Sequence, residues 1–252
     1  MTWVWLRGLA RESGHWGGLP RLAELAMDEQ VITLDLPGVG TKCQRDCPLN
    51  IHDIVAELTE ETANLTEIRL MGVSLGGLIA LHWAAHDQRI KQLVLINASS
   101  RLNFLYHRLK LNSAWHLLTA FTSNRCVEEQ EQRVLEVVSN EPVRARQIVS
   151  LWAEIARRRP VTLRLVFRQL LLASFAGLPK RRDLKHCQIK VIASRSDRLV
   201  APVCSKKLAD YFDSPLVSHP SAGHDLPLDD PEWLLQQIAT PIIEGEISQA
   251  NC

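Results

Sequence analysis

Short apolar runs and longer amphipathic segments alternate along most of the chain. The apolar runs span four to six residues without regular polar interruption, so we predict strands that are buried on both faces. The predicted strands cover residues 3–6, 31–34, 68–72, 92–97, 189–193 and 216–219. The predicted helices cover residues 19–26, 51–65, 75–85, 205–212 and 233–243. This order predicts an α/β fold with a mostly parallel, doubly wound sheet of about six strands.

The alternation stops between residues 99 and 184. This segment has no convincing strand pattern, and its apolar residues recur at helical spacing, with Trp115 and Leu118 early and Phe167 and Leu171 late. We therefore predict a helical lid over residues 99–184. The lid would be inserted into a core that is formed by residues 1–98 and 185–252.

Charge is distributed unevenly, although the net charge of the chain is only +1. Residues 101–186 contain 16 Lys and Arg but 7 Asp and Glu, so the predicted lid is basic and its flanks are acidic. A basic block attracts anions through its summed field. Its densest part includes Arg157, Arg164 and Arg168, which we expect to share one helix face and to contact a substrate or partner. A solvated helix surface is the alternative interpretation.

The sequence Gly72-Val73-Ser74-Leu75-Gly76 has the spacing G-x-S-x-G, between a predicted strand and a predicted helix. A serine on such a turn is exposed for nucleophilic attack, and small neighbours prevent collisions around it. The backbone N–H of Leu75, at the helix N-terminus, would point at a developing oxyanion. We therefore predict Ser74 as a nucleophile and Leu75 as an oxyanion donor.

A serine nucleophile requires a base, and two later residues fit that requirement in the chain order Ser, Asp, His. Asp197 follows the predicted strand 189–193, and His224 follows the predicted strand 216–219. Polar residues at the carboxyl ends of parallel strands gather at one edge of the sheet. We predict that His224 takes the Ser74 proton, and that Asp197 orients the imidazole ring.

These motifs together resemble the α/β-hydrolase superfamily over nearly the whole chain. Residues 35–40 are similar to its D-L-P-G-x-G turn, residues 72–77 to its nucleophile elbow, and Asp197 with Val200 to its acid loop. Gly223-His224, followed by Asp230-Pro231, is similar to its C-terminal signature. In motif style and length the chain looks closest to small bacterial carboxylesterases such as the pimeloyl-[acyl-carrier protein] methyl ester esterases.

The chain departs from the family pattern at its first strand. Family members usually carry His-Gly there, whereas this chain has Arg7-Gly8, so the second oxyanion N–H would belong to Leu9. The N-terminal antiparallel hairpin of the family is expected to be reduced or absent. We expect Trp16 to line the mouth of the pocket beside Leu9.

The resemblance implies a serine hydrolase that cleaves a carboxylic ester or thioester through an acyl-enzyme. Its substrate is expected to be a small acyl ester or thioester, and the basic lid suits a substrate linked to an acidic acyl carrier protein. A carbon–carbon bond hydrolase or lyase on the same triad is one alternative. A non-catalytic binding member of the fold is another, since fold does not imply function.

Other classes of function lack support in the sequence. No nucleic-acid motif accompanies the basic residues, and no apolar run is long enough for a membrane span. His82 and His86 are one helical turn apart, but no third ligand is evident, so we expect neither a metal nor a cofactor. The N-terminus lacks the pattern of a signal peptide, which predicts a cytoplasmic protein.

Overall fold

The structure is a computed structural model that describes residues 1–122 and 125–242. Six parallel strands form one sheet in the order β2-β1-β3-β4-β5-β6, with β2 and β6 at its edges. The strands are β1 (Thr2–Leu6), β2 (Gln30–Leu34), β3 (Ile68–Val73), β4 (Ile90–Ile96), β5 (Gln188–Ser194) and β6 (Leu216–His219). All six predicted strands are confirmed, and so is the parallel, doubly wound sheet.

Helices follow the strands in the expected order. Those that flank the sheet are α1 (Leu19–Met27), α2 (Ile51–Glu61), α3 (Leu75–His86), α9 (Val203–Phe212), α10 (Leu226–Asp229) and α11 (Pro231–Ala239). Helix α2 ends four residues before the predicted boundary at residue 65. Residue 243, the predicted end of the last helix, lies outside the described residues.

The sheet separates two apolar layers because successive side chains of a strand point to opposite faces. On β1, Val4 and Leu6 pack into the larger layer with α2, α3 and α9. Trp3 and Trp5 pack into the other layer with α1 and α11. All four side chains are fully buried, which explains why β1 is a continuous apolar run in the sequence.

Between β4 and β5, the described part of residues 99–184 contains helices and no strand. The helices are α4 (Leu105–Arg108), α5 (Leu111–Thr122), α6 (Val127–Val138), α7 (Pro142–Arg158) and α8 (Leu163–Phe175). Helices α6 and α7 share a small apolar core that includes Leu135 and Trp152. Helix α8 instead packs on the main core through Leu165 and Leu172.

The expectation that Arg157, Arg164 and Arg168 share one helix face is wrong for Arg157. Arg157 lies on α7, whereas Arg164 and Arg168 lie one turn apart on α8. Pro160 stands between the two helices and disfavours the helical conformation of the residue before it. Helix α7 accordingly ends at Arg158.

Within residues 1–122 and 125–242, no helix combines the length and the apolar character that crossing a membrane requires.

Candidate active site

Ser74 occupies a tight turn between β3 and α3. Its φ of 55° and ψ of −118° form a conformation that residues with side chains rarely adopt. The two neighbouring glycines make this turn possible. A Cβ on Gly72 would lie 2.5 Å from the backbone of Gly76, and a Cβ on Gly76 would lie 2.4 Å from the carbonyl oxygen of Arg7. The close contacts hold Ser74 at the carboxyl end of a central strand.

His224 and Asp197 meet in the loops that follow β6 and β5. The Nδ1 atom of His224 lies 2.7 Å from Oδ2 of Asp197, and the two side chains are 8% and 2% exposed. The other carboxylate oxygen accepts backbone N–H groups from Leu199 at 2.7 Å and Val200 at 2.9 Å. A carboxylate only accepts hydrogen bonds, so Nδ1 carries the proton and Nε2 of the neutral ring keeps its lone pair.

Asn97 connects three strand ends at this edge of the sheet. It follows β4 directly and adopts a positive φ of 47°. Its Oδ1 accepts the backbone N–H of Ser194 at 2.7 Å, and its Nδ2 donates to the carbonyl oxygen of His224 at 2.8 Å. The carboxyl end of β4, next to the Ser74 turn, is thereby joined to β5 and to the loop that carries His224.

The buried carboxylate of Asp229 supports the same loop from the other side. It accepts the backbone N–H of Gly223 at 2.6 Å, the backbone N–H of Asn140 at 2.8 Å and the hydroxyl of Ser139 at 2.5 Å. Burial raises the pKa of Asp229, although the hydrogen bonds oppose that shift. Asp229 therefore links the loop before His224 to the junction of α6 and α7.

Leu75 and the segment that contains Leu9 both adjoin Ser74. Leu75 is the first residue of α3, where the helix leaves its N–H groups without intrahelical partners. A Cβ on Gly8 would lie 3.1 Å from the Cβ of Ser74, so the segment that contains Leu9 runs beside Ser74. In the described parts of the chain, neither Leu75 nor Leu9 donates its N–H to another residue.

Sequence comparison identifies the family of this chain. A family model described as "Alpha/beta hydrolase family" matches residues 3–237. The chain belongs to the α/β hydrolase family. A relative from Xanthomonas campestris pv. campestris (strain B100), named pimeloyl-[acyl-carrier protein] methyl ester esterase, is 35% identical over 98 residues. That match covers 39% of this chain and 37% of the relative, so it spans little more than a third of the relative's length.

Solved structures of other α/β hydrolases share the fold over most of the chain. The enol-lactonase of Burkholderia xenovorans LB400 superposes with a TM-score of 0.71 and 20% identity, covering 94% of this chain and 89% of that one. A meta-cleavage product hydrolase of Pseudomonas fluorescens IP01 has a TM-score of 0.73 and 17% identity, covering 95% and 89%. At such identities the likeness concerns the fold alone.

The Arg7-Gly8 departure from the family pattern has a structural counterpart. The guanidinium of Arg7 is buried and forms two hydrogen bonds with the carboxylate of Asp225, at 3.0 and 2.5 Å. It also lies 4.7 Å above the ring of Trp16. Trp16 is 5% exposed and packs against Trp5 in the layer with α1 and α11. Its side chain is therefore part of this apolar layer, and its place at the mouth of a pocket stays a prediction.

The three arginines predicted as a contact surface all have partners within the chain. Arg157 pairs with Glu128, and Arg164 pairs with Asp46 at 2.8 Å. Arg168 donates from Nε to the carbonyl oxygen of Cys47 at 2.7 Å. The first two pairs are exposed to solvent, where ion pairs contribute little to stability and exchange partners readily.

His82 and His86 have structural partners in the described residues. The Nε2 atom of His82 donates to the carbonyl oxygen of Gly177 at 3.1 Å, and Nδ1 of His86 donates to that of His82 at 2.8 Å. Both rings line a cleft of about 500 Å³ with His52 and Phe175, away from Ser74 and His224. No group of three or more His, Cys, Asp or Glu residues in the described chain is arranged to hold a metal.

Sequence reasoning assigned no structural role in the site to Arg7, Asn97, Gln169, Asp225 or Asp229. Asn97 carried a usable signal, because asparagine at a strand end tolerates a positive φ better than most residues. Gln169, on α8, accepts the backbone N–H of Ala10 at 2.8 Å. Nothing in the sequence pairs Gln169 with Ala10 or Arg7 with Asp225, since both pairs are distant along the chain.

Proposed function

We propose that the protein is a serine hydrolase that cleaves a carboxylic ester or thioester through an acyl-enzyme. The observation that carries the proposal is the 2.7 Å hydrogen bond between His224 and Asp197, in loops at the sheet edge where β3 ends in Ser74. The strained turn at Ser74, typical of a nucleophile elbow, supports it. Family membership and the esterase name of the Xanthomonas relative support it further.

In the proposed reaction, the hydroxyl oxygen of Ser74 attacks the carbonyl carbon of the ester. Nε2 of His224 accepts the hydroxyl proton and then delivers it to the leaving alcohol or thiol. Asp197 accepts the hydrogen bond from Nδ1 throughout and stabilises the imidazolium. The backbone N–H groups of Leu75 and Leu9 hold the negative oxygen of the tetrahedral intermediate. A water molecule then cleaves the acyl-enzyme by the same steps.

Hydrolysis of p-nitrophenyl esters of increasing acyl length tests this proposal, with the wild type compared with Ser74→Ala. We expect the variant to lose activity, and a fluorophosphonate probe to label only the wild type. Ser196→Ala is the matched control, because Ser196 is an exposed serine whose hydroxyl donates to the carbonyl of Pro220. We also expect Asp197→Asn to lower kcat by about 10⁴-fold, since it disturbs the ring's tautomer and orientation.

Two results would overturn the proposal in different directions. An unlabelled wild type that cleaves none of these esters would favour a non-catalytic binding member of the fold. A wild type that is labelled at Ser74 but cleaves only carbon–carbon bonds in 1,3-diketone substrates would favour a carbon–carbon hydrolase.

We further propose that residues 99–184 form a lid over the site. We propose that this lid binds a substrate that is linked to an acidic acyl carrier protein. The basic excess of residues 101–186 and the name of the Xanthomonas relative, a pimeloyl-[acyl-carrier protein] methyl ester esterase, support this substrate. Arg164 is suited to the test because its side chain is 69% exposed in its pair with Asp46. We expect Arg164→Glu to raise KM for the carrier-linked ester and to leave KM for the free ester unchanged. Equal KM values for both esters in the wild type would exclude carrier recognition.

A further inference from the structure

Arg7 and Asp225 form a buried bidentate ion pair beside the proposed triad. Arg7 follows β1 directly and precedes the segment that contains Leu9, while Asp225 is the residue after His224. Their side chains are 4% and 7% exposed, and the two hydrogen bonds measure 3.0 and 2.5 Å. We infer that this pair is a positioning unit, which holds the oxyanion segment and the His224 loop in a fixed relation. The inference rests on the proposed hydrolase function.

The backbone of Arg7 also touches the Ser74 turn. A Cβ built on Gly76 would lie 2.4 Å from the carbonyl oxygen of Arg7, so the two backbones are in close contact, and the following Gly8 adjoins Ser74. One residue therefore contacts the elbow through its backbone and the His224 loop through its side chain. A bidentate guanidinium–carboxylate pair restrains both distance and orientation, which a single hydrogen bond does not. The ring of Trp16, 4.7 Å from the guanidinium carbon, supports Arg7 from one side.

Stability alone does not account for this pair. Removing two ions from water costs about as much as their attraction returns, so a buried pair adds little net stability compared with apolar residues of similar size. A buried pair does favour one arrangement of the segments that carry it, because separating the partners leaves a charge uncompensated. We therefore assign two roles to the pair: it fixes the relative position of the two segments, and it balances the charge near His224.

Loss of either partner would change the charge beside His224 in opposite directions. The charged or titratable groups that the described residues place around this pair include Asp197 after β5, Asp229 on α10, Arg11 and His15 in the segment after β1, and Arg159 just beyond α7. When Arg7 is replaced by a neutral residue, the uncompensated carboxylate of Asp225 favours the protonated imidazole of His224. His224 then stops acting as a base at a higher pH than in the wild type. With Asp225 neutralised, the unpaired guanidinium has the reverse effect.

The experiment measures kcat and KM for a p-nitrophenyl ester from pH 4.5 to 9 in Arg7→Gln, Asp225→Asn, the double variant and Arg7→Lys. We expect each neutralising variant to lower kcat at least tenfold with little change in KM. We expect the acid limb of kcat/KM to move up by roughly half a pH unit or more in Arg7→Gln and down in Asp225→Asn. The double variant should return the limb towards the wild type, and Arg7→Lys should recover part of kcat.

Arg144→Gln is the matched control, because Arg144 forms an exposed ion pair with Glu232 at 3.0 Å. Melting temperatures of all variants separate loss of folding from loss of positioning. The inference would be overturned if the acid limbs of Arg7→Gln and Asp225→Asn stayed in place or moved in the same direction. It would also be overturned if the loss of kcat in each variant matched the loss of folded protein. If a fluorophosphonate fails to label wild-type Ser74, the hydrolase proposal fails and this inference with it. If wild-type Ser74 is labelled but the Arg7 and Asp225 variants keep wild-type kinetics, only the positioning role is refuted.

Discussion

The guanidinium of Arg11 lies 2.8 Å from the carboxylate of Glu131, so an ion pair connects the segment after β1 to α6. The same guanidinium lies 4.4 Å from the ring centroid of Trp152 on α7. The neighbouring Glu12 pairs with Arg159, just beyond α7, at 3.0 Å. Consecutive residues of the loop beside Ser74 therefore hold the helical segment onto the sheet.

We expect Glu131→Gln to destabilise the protein by about 3 kcal/mol, because it leaves the guanidinium of Arg11 without its carboxylate partner. Both side chains are largely buried, at 14% and 6% exposure, so solvent compensates poorly for the loss. Urea unfolding followed by circular dichroism measures the change. Arg21, which pairs with Glu24 in an exposed i,i+3 arrangement, provides the control variant Arg21→Gln. An equal effect of both substitutions would show that the buried pair has no special role.

Gln169 is expected to determine the placement of the Leu9 N–H. Its Oε1 accepts the N–H of Ala10, a residue with a positive φ of 57°. Gln169→Leu removes the only acceptor that the described residues offer this N–H, at a cost of about 1–3 kcal/mol, and lets the loop move. We expect kcat to fall at least tenfold with little change in KM, as for a weakened oxyanion donor.

Gln169→Glu tests the same contact conservatively, because it keeps an oxygen acceptor in place, and we expect it to recover part of kcat. Gln147→Leu is the control, since Gln147 is exposed on α7. A Gln169→Leu variant with normal kcat would show that the Leu9 N–H does not act in the reaction.

The Ser74 turn is expected to tolerate no side chain at position 76. In Gly76→Ala the new Cβ would lie 2.4 Å from the carbonyl oxygen of Arg7, and the backbone would have to move. We expect a loss of more than about 2 kcal/mol in the free energy of unfolding and loss of esterase activity. Gly177→Ala is the matched control, because no atom beyond its neighbours in the chain lies within 4 Å of its added Cβ, and its effect should stay within about 0.5 kcal/mol.

The sheet was predictable because a strand buried on both faces must be apolar throughout. Ile68–Val73 shows this, since five of its six residues are buried. The positions of Ser74, Asp197 and His224 after strands followed from the same pattern, because polar residues that can act in catalysis come where the apolar runs end. Their role in catalysis stays a prediction that the experiments above test.

The contacts that join distant parts of the chain were not predictable. Arg7 pairs with a residue 218 positions later, and neither partner lies in a periodic pattern that would indicate the other. Trp16 packs against the buried Trp5, a contact that the sequence does not reveal. The separation of Arg157 from Arg164 could have been predicted, because Pro160 lies between them.

The buried His82 is expected to make stability depend on pH. Burial lowers the pKa of His82 to about 4, with smaller contributions from His52 and His86, against an ordinary value near 6.5. Between these values the unfolded chain binds a proton that the native state does not, so stability is retained above pH 6.5 and lost as the pH falls towards 4. His82 should therefore contribute about 2 kcal/mol to the loss of stability between pH 7 and pH 5. In urea unfolding, His82→Gln should show a smaller loss of stability by that amount. A His82→Gln protein that loses as much stability as the wild type would refute this role.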